Sequence, residues 1–371
     1  MPPVIEDSMR IGVIASVAHR SPPKNYGPRE QIASTLAEGF VARGHDVTLF
    51  ATADSETSAR LVSAVPSGYE ETADADAKVF EALHNSTVFA RAGEFDIIAN
   101  HFDFMPLTYS RLVTTPMVTT IHGRSSPKIV PVYREFGDIA HYVATADADR
   151  DPDLRYAATI HHGIDLAQFT FRPEHGEYLL FLGRIHPDKG THLAIEVARQ
   201  AGLPLIIAGV IQDEEYFHSA VEPHLTGTDV TYLGPVGPVD RDALLGGARA
   251  LLHLVGFAEP FGLSVIEAMA TGTPVIATPL GSIAEILRHG RTGFLVADVA
   301  GAVAAVSKVG QLDRSACRDD VFERFTADRM IDAYSALFER IIRESGRRTE
   351  SAEPVAQQAI GSPGLFSHAG L

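Results

Sequence analysis

Short apolar runs alternate with amphipathic segments along the first 50 residues. Residues 10–16 form an apolar run between polar positions, which is typical of a buried strand. Residues 29–43 carry apolar side chains at helical spacing, and Gly44 ends that pattern. Residues 46–51 form a second apolar run. A strand, a helix and a strand in this order predict a βαβ unit, and therefore a parallel sheet with right-handed crossovers.

The alternation continues less regularly through the rest of the N-terminal half. Helical spacing covers residues 77–92, and short apolar runs at 96–99, 117–121 and 139–144 predict further strands. Residues 55–76 are rich in Ala, Ser and acidic side chains, so we expect a loop there.

A second and more regular alternation begins near residue 177. Strands are predicted over 178–182, 204–208, 230–233, 250–254, 274–277 and 293–296, with helices over 191–201, 240–246, 262–270 and 283–287. Six strands that alternate with helices make a complete doubly wound domain. The whole pattern therefore predicts an α/β protein with two Rossmann-like domains that face each other across a cleft.

The predicted domains join near residues 166–175, where the periodicity is interrupted. The predicted organisation is a flexible leader (1–9), an N-terminal domain (10–170), a C-terminal domain (171–325), a helix that can cross back to the N-terminal domain (326–345) and a disordered tail (346–371).

Composition narrows the functional classes. The 371 residues include 31 Lys and Arg against 47 Asp and Glu, a formal charge of -16, which disfavours binding to nucleic acid or to anionic membranes. No apolar run approaches the roughly 20 residues of a membrane helix, and the leader lacks the hydrophobic core of a signal peptide. Cys317 is the single cysteine and cannot form an internal disulfide. These features predict an acidic, soluble, cytoplasmic protein.

The most informative segment for chemistry is 259–267, with the sequence EPFGLSVIE. Glu259 lies in the loop after a predicted strand, and Glu267 lies a little over one turn inside the next predicted helix. Ligands bind at this end of a parallel sheet. A carboxylate accepts hydrogen bonds from vicinal diols, so one of these side chains suits a ribose and the other a hexose. Each acid taken alone is better explained as a solvated surface residue.

A cationic pair lies in 183–190, GRIHPDKG, between a predicted strand and a predicted helix. Arg184 can hold a diphosphate with its planar guanidinium, and Lys189 can do so as a point charge. On an acidic protein this pair supplies the local positive charge that an anionic ligand requires. The alternative is a surface ion pair with neighbouring acids.

Together these motifs resemble those of retaining glycosyltransferases of family 4, which have the GT-B fold. Residues 259–267 match the E-x7-E motif of that family. The other matching pieces are LGRI (182–185), DKG (188–190), GID (163–165), GTPVI (272–276), HG (289–290) and TGFLV (292–296). The resemblance extends from residue 10 to about residue 342 and is densest over 178–296.

The resemblance implies a set of site residues. Those expected in catalysis are Glu259, His122, Arg184 and Lys189, and those expected to bind the donor are Gly27, Gly183, Arg184, Lys189, Phe261, Gly262, Leu263 and Glu267. Arg184 and Lys189 would bind the pyrophosphate and stabilise the departing nucleotide, so no metal and no cofactor are expected. His122 would contact the transferred sugar.

Several positions depart from the family pattern or stay without a role. The family commonly has Gly-Gly in the first loop, where this chain has Gly27 followed by Pro28, which removes one N–H donor. The effect of Pro28 is open, and so are the roles of His19, His161 and His162. The D-x-D patterns at 147–153 and 74–76 are interpreted as solvated loop acids.

The function implied is hexosyl transfer from a nucleotide diphosphate sugar, UDP-linked by expectation, to an acceptor hydroxyl with retention of configuration. No basic amphipathic helix indicates a membrane acceptor, so a soluble small molecule or sugar is expected. A nucleotide-sugar epimerase of the same fold is the alternative. A phosphorylase would need a long C-terminal segment with a pyridoxal lysine, and a dinucleotide oxidoreductase would need G-x-G-x-x-G after a leading strand. A protein that binds a nucleotide sugar without catalysing transfer would lack the intact motifs. The acceptor, the donor base and sugar, and the oligomeric state are left open.

Overall fold

A computed structural model describes residues 8–123, 128–225, 227 and 229–351. Its strands are β1 (Arg10–Ile14), β2 (Asp46–Phe50), β3 (Arg60–Val62), β4 (Ile97–Asn100), β5 (Met117–Ile121), β6 (His141–Ala144), β7 (Tyr156–Thr159), β8 (Tyr178–Leu182), β9 (Leu205–Ala208), β10 (Val230–Tyr232), β11 (Ala248–His253), β12 (Val275–Ala277) and β13 (Gly293–Leu295).

The helices lie mainly on the connections between these strands. They are α1 (Pro28–Ala42), α2 (Ala77–Phe89), α3 (Val130–Glu135), α4 (Thr191–Ala201), α5 (Glu214–Tyr216), α6 (Pro238–Gly247), α7 (Leu263–Ala270), α8 (Ile283–Ile286), α9 (Val299–Val306), α10 (Arg314–Arg324) and α11 (Ala327–Ser351).

The strands form two separate parallel sheets, as the alternation of strands and helices predicts. One sheet has the order β3-β2-β1-β4-β5-β6-β7, and the other has the order β10-β9-β8-β11-β12-β13. Strand order reverses between β1 and β4 in the first sheet and between β8 and β11 in the second. Ligands bind at such reversal points, outside the carboxyl ends of the strands. The predicted fold of two doubly wound α/β domains is therefore confirmed.

Both sheets are covered by helices on both faces, which is why their central strands read as continuous apolar runs. In β1, Val13 packs in one core and Ile14 in the core on the opposite face, and both side chains are fully buried. Met9 also packs in the first core, so the last residue of the predicted flexible leader is ordered. Residues 1–7 of that leader lie outside the described residues.

The C-terminal helix α11 packs on the N-terminal domain. Its Tyr334 hydroxyl lies 2.6 Å from the Thr120 Oγ1, and the Phe338 ring lies 5.5 Å from that of Phe40 in α1. The two helices approach closely because α1 has Gly39 at the contact, where a Cβ atom would lie 2.1 Å from Ile331 Cδ1.

Helix α11 also corrects the predicted start of the disordered tail. It runs to Ser351, so residues 346–351 are helical. Extending a formed helix adds one hydrogen bond for each residue fixed, and a single glycine such as Gly346 costs only about 1 kcal/mol. The rest of the predicted tail, residues 352–371, lies outside the described part of the chain.

The two chain crossings between the domains lie side by side. Ile164 N–H donates to Phe325 O at 2.9 Å, and Ala327 N–H donates to Ile164 O at 2.8 Å. Gly163 allows this approach, because a Cβ atom there would lie 2.2 Å from Thr326 O. Phe169, which the sequence places in the N-terminal domain, packs in the C-terminal core together with Ile164.

Three of the elements that the sequence pattern did not predict, β3, β7 and α10, lack a clear apolar pattern. Strand β3 lies inside the predicted loop 55–76, and β7 is the other edge strand of the same sheet. Their side chains are mostly half-buried. Helix α10 buries Arg314 and Asp320 beside Cys317 and Val321, so its buried face is not an apolar stripe.

Candidate active site

A cleft of about 330 Å³ lies between the two domains, where the carboxyl ends of the two sheets face each other. The structure brings every site residue named from the sequence to its walls: Gly27, His122, Gly183, Arg184, Lys189, Glu259, Phe261, Gly262, Leu263 and Glu267.

Lys189 and Glu259 form a nearly buried ion pair in this cleft. Lys189 Nζ lies 2.6 Å from Glu259 Oε2, and the two side chains are 14% and 10% exposed. Lys189 ends a short 3₁₀ turn, and Gly190 then reverses the chain with φ of 72°. A Cβ atom at Gly190 would lie 2.1 Å from Leu254 O, so only glycine fits the turn that presents the lysine.

Glu259 is held at its backbone as well as at its carboxylate. Ser282 donates to Glu259 O through both its N–H, at 2.9 Å, and its Oγ, at 3.0 Å. Gly281 precedes it with φ of 65°, and a Cβ atom there would lie 2.3 Å from the same carbonyl oxygen. The loop that follows β12 therefore fixes the position of Glu259.

His253 is a second partner of Glu259 that the sequence analysis did not name. Its Nε2 lies 3.4 Å from Glu259 Oε2, and the ring is buried. Burial alone would raise the pKa of Glu259, but His253 and Lys189 outweigh it and lower this pKa to about 2. Glu259 is therefore ionised at neutral pH and accepts hydrogen bonds. The sequence feature that could have indicated His253 is its position at the carboxyl end of an apolar strand.

Glu267 lies in a different environment although it belongs to the same motif. It projects from α7, which begins after Gly262 with φ of 86°. Arg241 of α6 approaches it, with Nη1 3.4 Å from Glu267 Oε1. Burial raises the pKa of Glu267, and Arg241 only partly opposes this effect. No local pattern marked Arg241, because α6 and α7 come together only through the fold.

Arg184 lies in the cleft and also contacts an acid of its own loop. Its Nη2 is 3.7 Å from Asp188 Oδ2. The surface ion pair considered from the sequence therefore exists, yet the side chain still lines the cavity beside Gly183.

His122 lies in a row of three imidazoles, which we call the histidine row (His101, His122 and His162). His101 Nδ1 is 3.0 Å from His122 Nε2, and His122 Nδ1 is 3.3 Å from His162 Nε2. Burial lowers the pKa of all three, to about 3 for His101 and for His162, and well below the ordinary value for His122. Both nitrogens of His122 thus face other imidazoles. His162 also packs on Phe261, with ring centroids 4.9 Å apart.

The first loop of the N-terminal domain forms the opposite wall. Gly27 has φ of 152°, and a Cβ atom there would lie 2.8 Å from Pro23 Cβ. Pro28 is the first residue of α1, where its missing N–H costs no helical hydrogen bond. Lys24 and Arg29 add positive charge to this wall.

Other residues singled out from the sequence contact side chains outside the cleft. His161 lies 3.7 Å from Glu285, and His19 lies 3.9 Å from Glu71. Asp147 accepts a hydrogen bond from Thr159. Within the part of the chain that the structure describes, no three His, Cys, Asp or Glu side chains are placed to hold a metal ion, and no helix has the length and apolarity to cross a membrane.

The cleft therefore combines cations for an anionic ligand with carboxylates for hydroxyl groups. Arg184, Lys189 and Arg241 lie on the C-terminal side and Lys24 and Arg29 on the N-terminal side. Together with two Rossmann-like domains facing across the cleft, these features define an enzyme of the GT-B architecture.

Comparisons with known proteins agree with this class. The model of Glycosyltransferase Family 4 matches residues 30–168, and that of Glycosyl transferases group 1 matches residues 165–312. The chain belongs to the family 4 glycosyltransferases and is a hexosyltransferase, as the sequence motifs indicated.

Individual relatives are distant. A glycogen synthase of Mycobacterium tuberculosis is 26% identical over 355 residues, covering 80% of this chain and 85% of that protein. A D-inositol 3-phosphate glycosyltransferase of Pseudarthrobacter chlorophenolicus is 30% identical over 249 residues, covering 55% and 59%.

Solved structures share the fold at low identity. The sucrose-phosphate synthase of Thermosynechococcus elongatus has a TM-score of 0.75 at 18% identity, covering 91% of this chain and 100% of that one. Anabaena HepE in complex with UDP and glucose has a TM-score of 0.71 at 18% identity, covering 89% and 99%.

Proposed function

We propose that the protein transfers a hexosyl group from a nucleoside diphosphate sugar, UDP-linked by preference, to a hydroxyl of a soluble acceptor, with retention of anomeric configuration. The observation that carries this proposal is the convergence of Arg184, the Lys189–Glu259 pair and Glu267 on one interdomain cleft. The complex of HepE with UDP and glucose supports a UDP-linked donor.

Each donor group has a matching side chain in this proposal. Arg184 and Lys189 hold the diphosphate and stabilise its growing charge as the glycosidic bond breaks. Glu267 accepts hydrogen bonds from the ribose, which would supply the hydrogen-bond donors that this buried carboxylate needs. Glu259 accepts hydrogen bonds from the sugar hydroxyls. His122 lines the same cleft and lies near the transferred sugar.

The properties of Glu259 favour a same-face substitution without a protein nucleophile. A carboxylate with a pKa of about 2 is a weak base, and Lys189 holds it in place with His253 beside it. It therefore serves as a fixed hydrogen-bond acceptor for an oxocarbenium-like transition state. The leaving phosphate oxygen, on the same face of the sugar, takes the proton of the acceptor hydroxyl, and no metal or cofactor is required.

The test is a transfer assay in EDTA with UDP-glucose, UDP-N-acetylglucosamine, GDP-mannose and ADP-glucose, each offered with a mixture of free sugars and polyols. We expect one UDP-sugar to give a product whose anomeric proton shows the donor configuration by NMR. Glu259→Gln should abolish transfer, and Glu70→Gln, an exposed acid outside the cleft, should leave it unchanged. An inverted product would contradict retention, and an epimerised nucleotide sugar formed without acceptor would establish the alternative enzyme class.

A further inference from the structure

A second, smaller cavity of about 180 Å³ lies in the N-terminal domain beside the cleft. Arg29 lines both cavities, so its guanidinium forms part of the wall between them. The other lining residues that matter are Tyr69, Glu81, Asp103, Phe104 and Met105. No motif marked these positions, because they come from three separate segments of the chain. The cavity has the volume of several water molecules, which suits a small polar group.

The two carboxylate oxygens of Asp103 differ in their hydrogen bonding. Its Oδ1 accepts from Phe104 N–H at 2.8 Å and from the Tyr133 hydroxyl at 3.3 Å. Its Oδ2 lies 3.6 Å from Arg29 Nη1, beyond a good hydrogen bond, while Arg29 Nη1 donates to Phe102 O at 3.0 Å. Asp103 Oδ2 can therefore accept a further donor.

Glu81 supplies the second carboxylate. Burial and the neighbouring Asp103 raise the pKa of Glu81, and the Tyr69 hydroxyl and Arg29 oppose this effect. Burial also raises the pKa of Tyr69, to about 12, so Tyr69 remains a neutral donor. The cavity thus has two carboxylates against one guanidinium, with the hydroxyls of Tyr69 and Ser16 as further polar groups, so acidic side chains outnumber basic ones.

This balance selects the chemistry of a ligand. Vicinal hydroxyls or an ammonium group supply the donors that Glu81 and Asp103 need. A phosphate ester would add negative charge beside two carboxylates, and such like-charge contact disfavours binding. Phe104 and Met105 offer an apolar wall to the C–H face of a sugar ring.

We propose that this cavity is the acceptor subsite and that it selects a sugar or polyol group bearing free hydroxyls or an amine and no phosphate. The inference rests on the proposed transfer function, since Arg29 joins this subsite to the donor cleft. It deepens that function by naming the acceptor class through Glu81 and Asp103.

The experiment measures binding to the full chain directly, without donor turnover. The probes are glucose, glucosamine and glucose 6-phosphate, followed by saturation-transfer NMR. We expect glucosamine and glucose to bind at least about tenfold more tightly than glucose 6-phosphate. Glu81→Gln should weaken glucosamine binding at least about tenfold and reduce the difference in affinity between glucosamine and glucose 6-phosphate. Glu70→Gln should change neither the affinity nor this difference.

Asp103→Asn is the second variant, since it removes the charge and keeps the shape of the side chain. An unchanged melting temperature identifies the variants that fold normally. Equal or tighter binding of glucose 6-phosphate, binding of none of the three probes, or wild-type binding by both variants would overturn the inference. These outcomes are separate from failure of the proposed function, which appears as absence of nucleotide binding in the main cleft.

Discussion

Replacing Glu259 by Gln should destabilise the unliganded protein, whereas replacing Glu267 by Gln should not, although both changes should impair transfer. The two acids belong to one motif and lie eight positions apart. Their surroundings differ, because Glu259 pairs with Lys189 and His253, whereas Glu267 has Arg241 at 3.4 Å.

The magnitude for Glu259 follows from its pKa. A fall from 4.5 to about 2 corresponds to about 3 kcal/mol, to order of magnitude, in favour of the ionised folded state. Because the folded pKa is lowered, this stabilisation is present above pH 4.5 and is lost as the pH falls toward 2. Glu259→Gln should therefore lower the free energy of unfolding by about 3 kcal/mol at pH 7.

The pKa of Glu267 shifts in the opposite direction. Burial raises its pKa in the folded state, so its stabilising contribution is present below pH 4.5 and is lost as the pH rises through the folded value. At pH 7 the folded state carries a poorly solvated charge. Glu267→Gln should therefore match or exceed the wild-type free energy of unfolding while weakening nucleotide binding.

The assay is urea unfolding at pH 7 without nucleotide, followed by circular dichroism, for the wild type and both variants. A slope unchanged by mutation shows that the difference in midpoint reports stability. If Glu259→Gln were as stable as the wild type, or if Glu267→Gln lost stability as Glu259→Gln does, our account of the two environments would be refuted.

Two further predictions concern the turn that presents Lys189 and the histidine row. Gly190→Ala and Gly202→Ala place a side chain at nearly the same positive φ, 72° and 67°. Only the Cβ atom of Gly190→Ala would meet a backbone oxygen, at 2.1 Å. We expect Gly202→Ala to lose roughly 1–2 kcal/mol of stability and Gly190→Ala to lose more, as measured by urea unfolding. Calorimetry should also show that Gly190→Ala no longer binds nucleotide. Equal effects would exclude a role for the close approach. Burial lowers the pKa of each ring in the histidine row, so the unfolded state binds more protons than the folded state below pH 6.5. The free energy of unfolding should therefore fall between pH 6.5 and 5. The fall is at most about 1.4 kcal/mol per pH unit for each ring. His101→Gln should make this slope shallower in urea unfolding between pH 7.5 and 5, and an unchanged slope would contradict a buried neutral row.

The fold could be predicted from the sequence where strands are buried on both faces. The predicted range 178–182 coincides with β8, because a central strand in a parallel sheet is apolar throughout. The edge strands β3 and β7 are half-exposed and carry residues such as Arg60 and Thr159, so their pattern resembles a loop.

The candidate site divides in a similar way. Glu259, Glu267 and Lys189 belong to contiguous motifs, and their presence in one cleft follows from strand order. Arg241 was missed because its partner Glu267 lies on a different helix. His253 was missed although it lies close to Glu259 in the sequence, because a histidine at the end of an apolar strand is explained equally well as a core residue. The histidine row and the smaller cavity also depend on separate strand ends that only the folded chain brings together.

The most direct test of the central claim is calorimetric titration of the wild-type protein with UDP in EDTA, beside Arg184→Ala. A charge-assisted hydrogen bond contributes about 1.5–3 kcal/mol, so we expect one saturable UDP site that Arg184→Ala weakens roughly ten- to a hundredfold. Absence of UDP binding, or the same affinity in Arg184→Ala, would contradict a diphosphate held by this cleft.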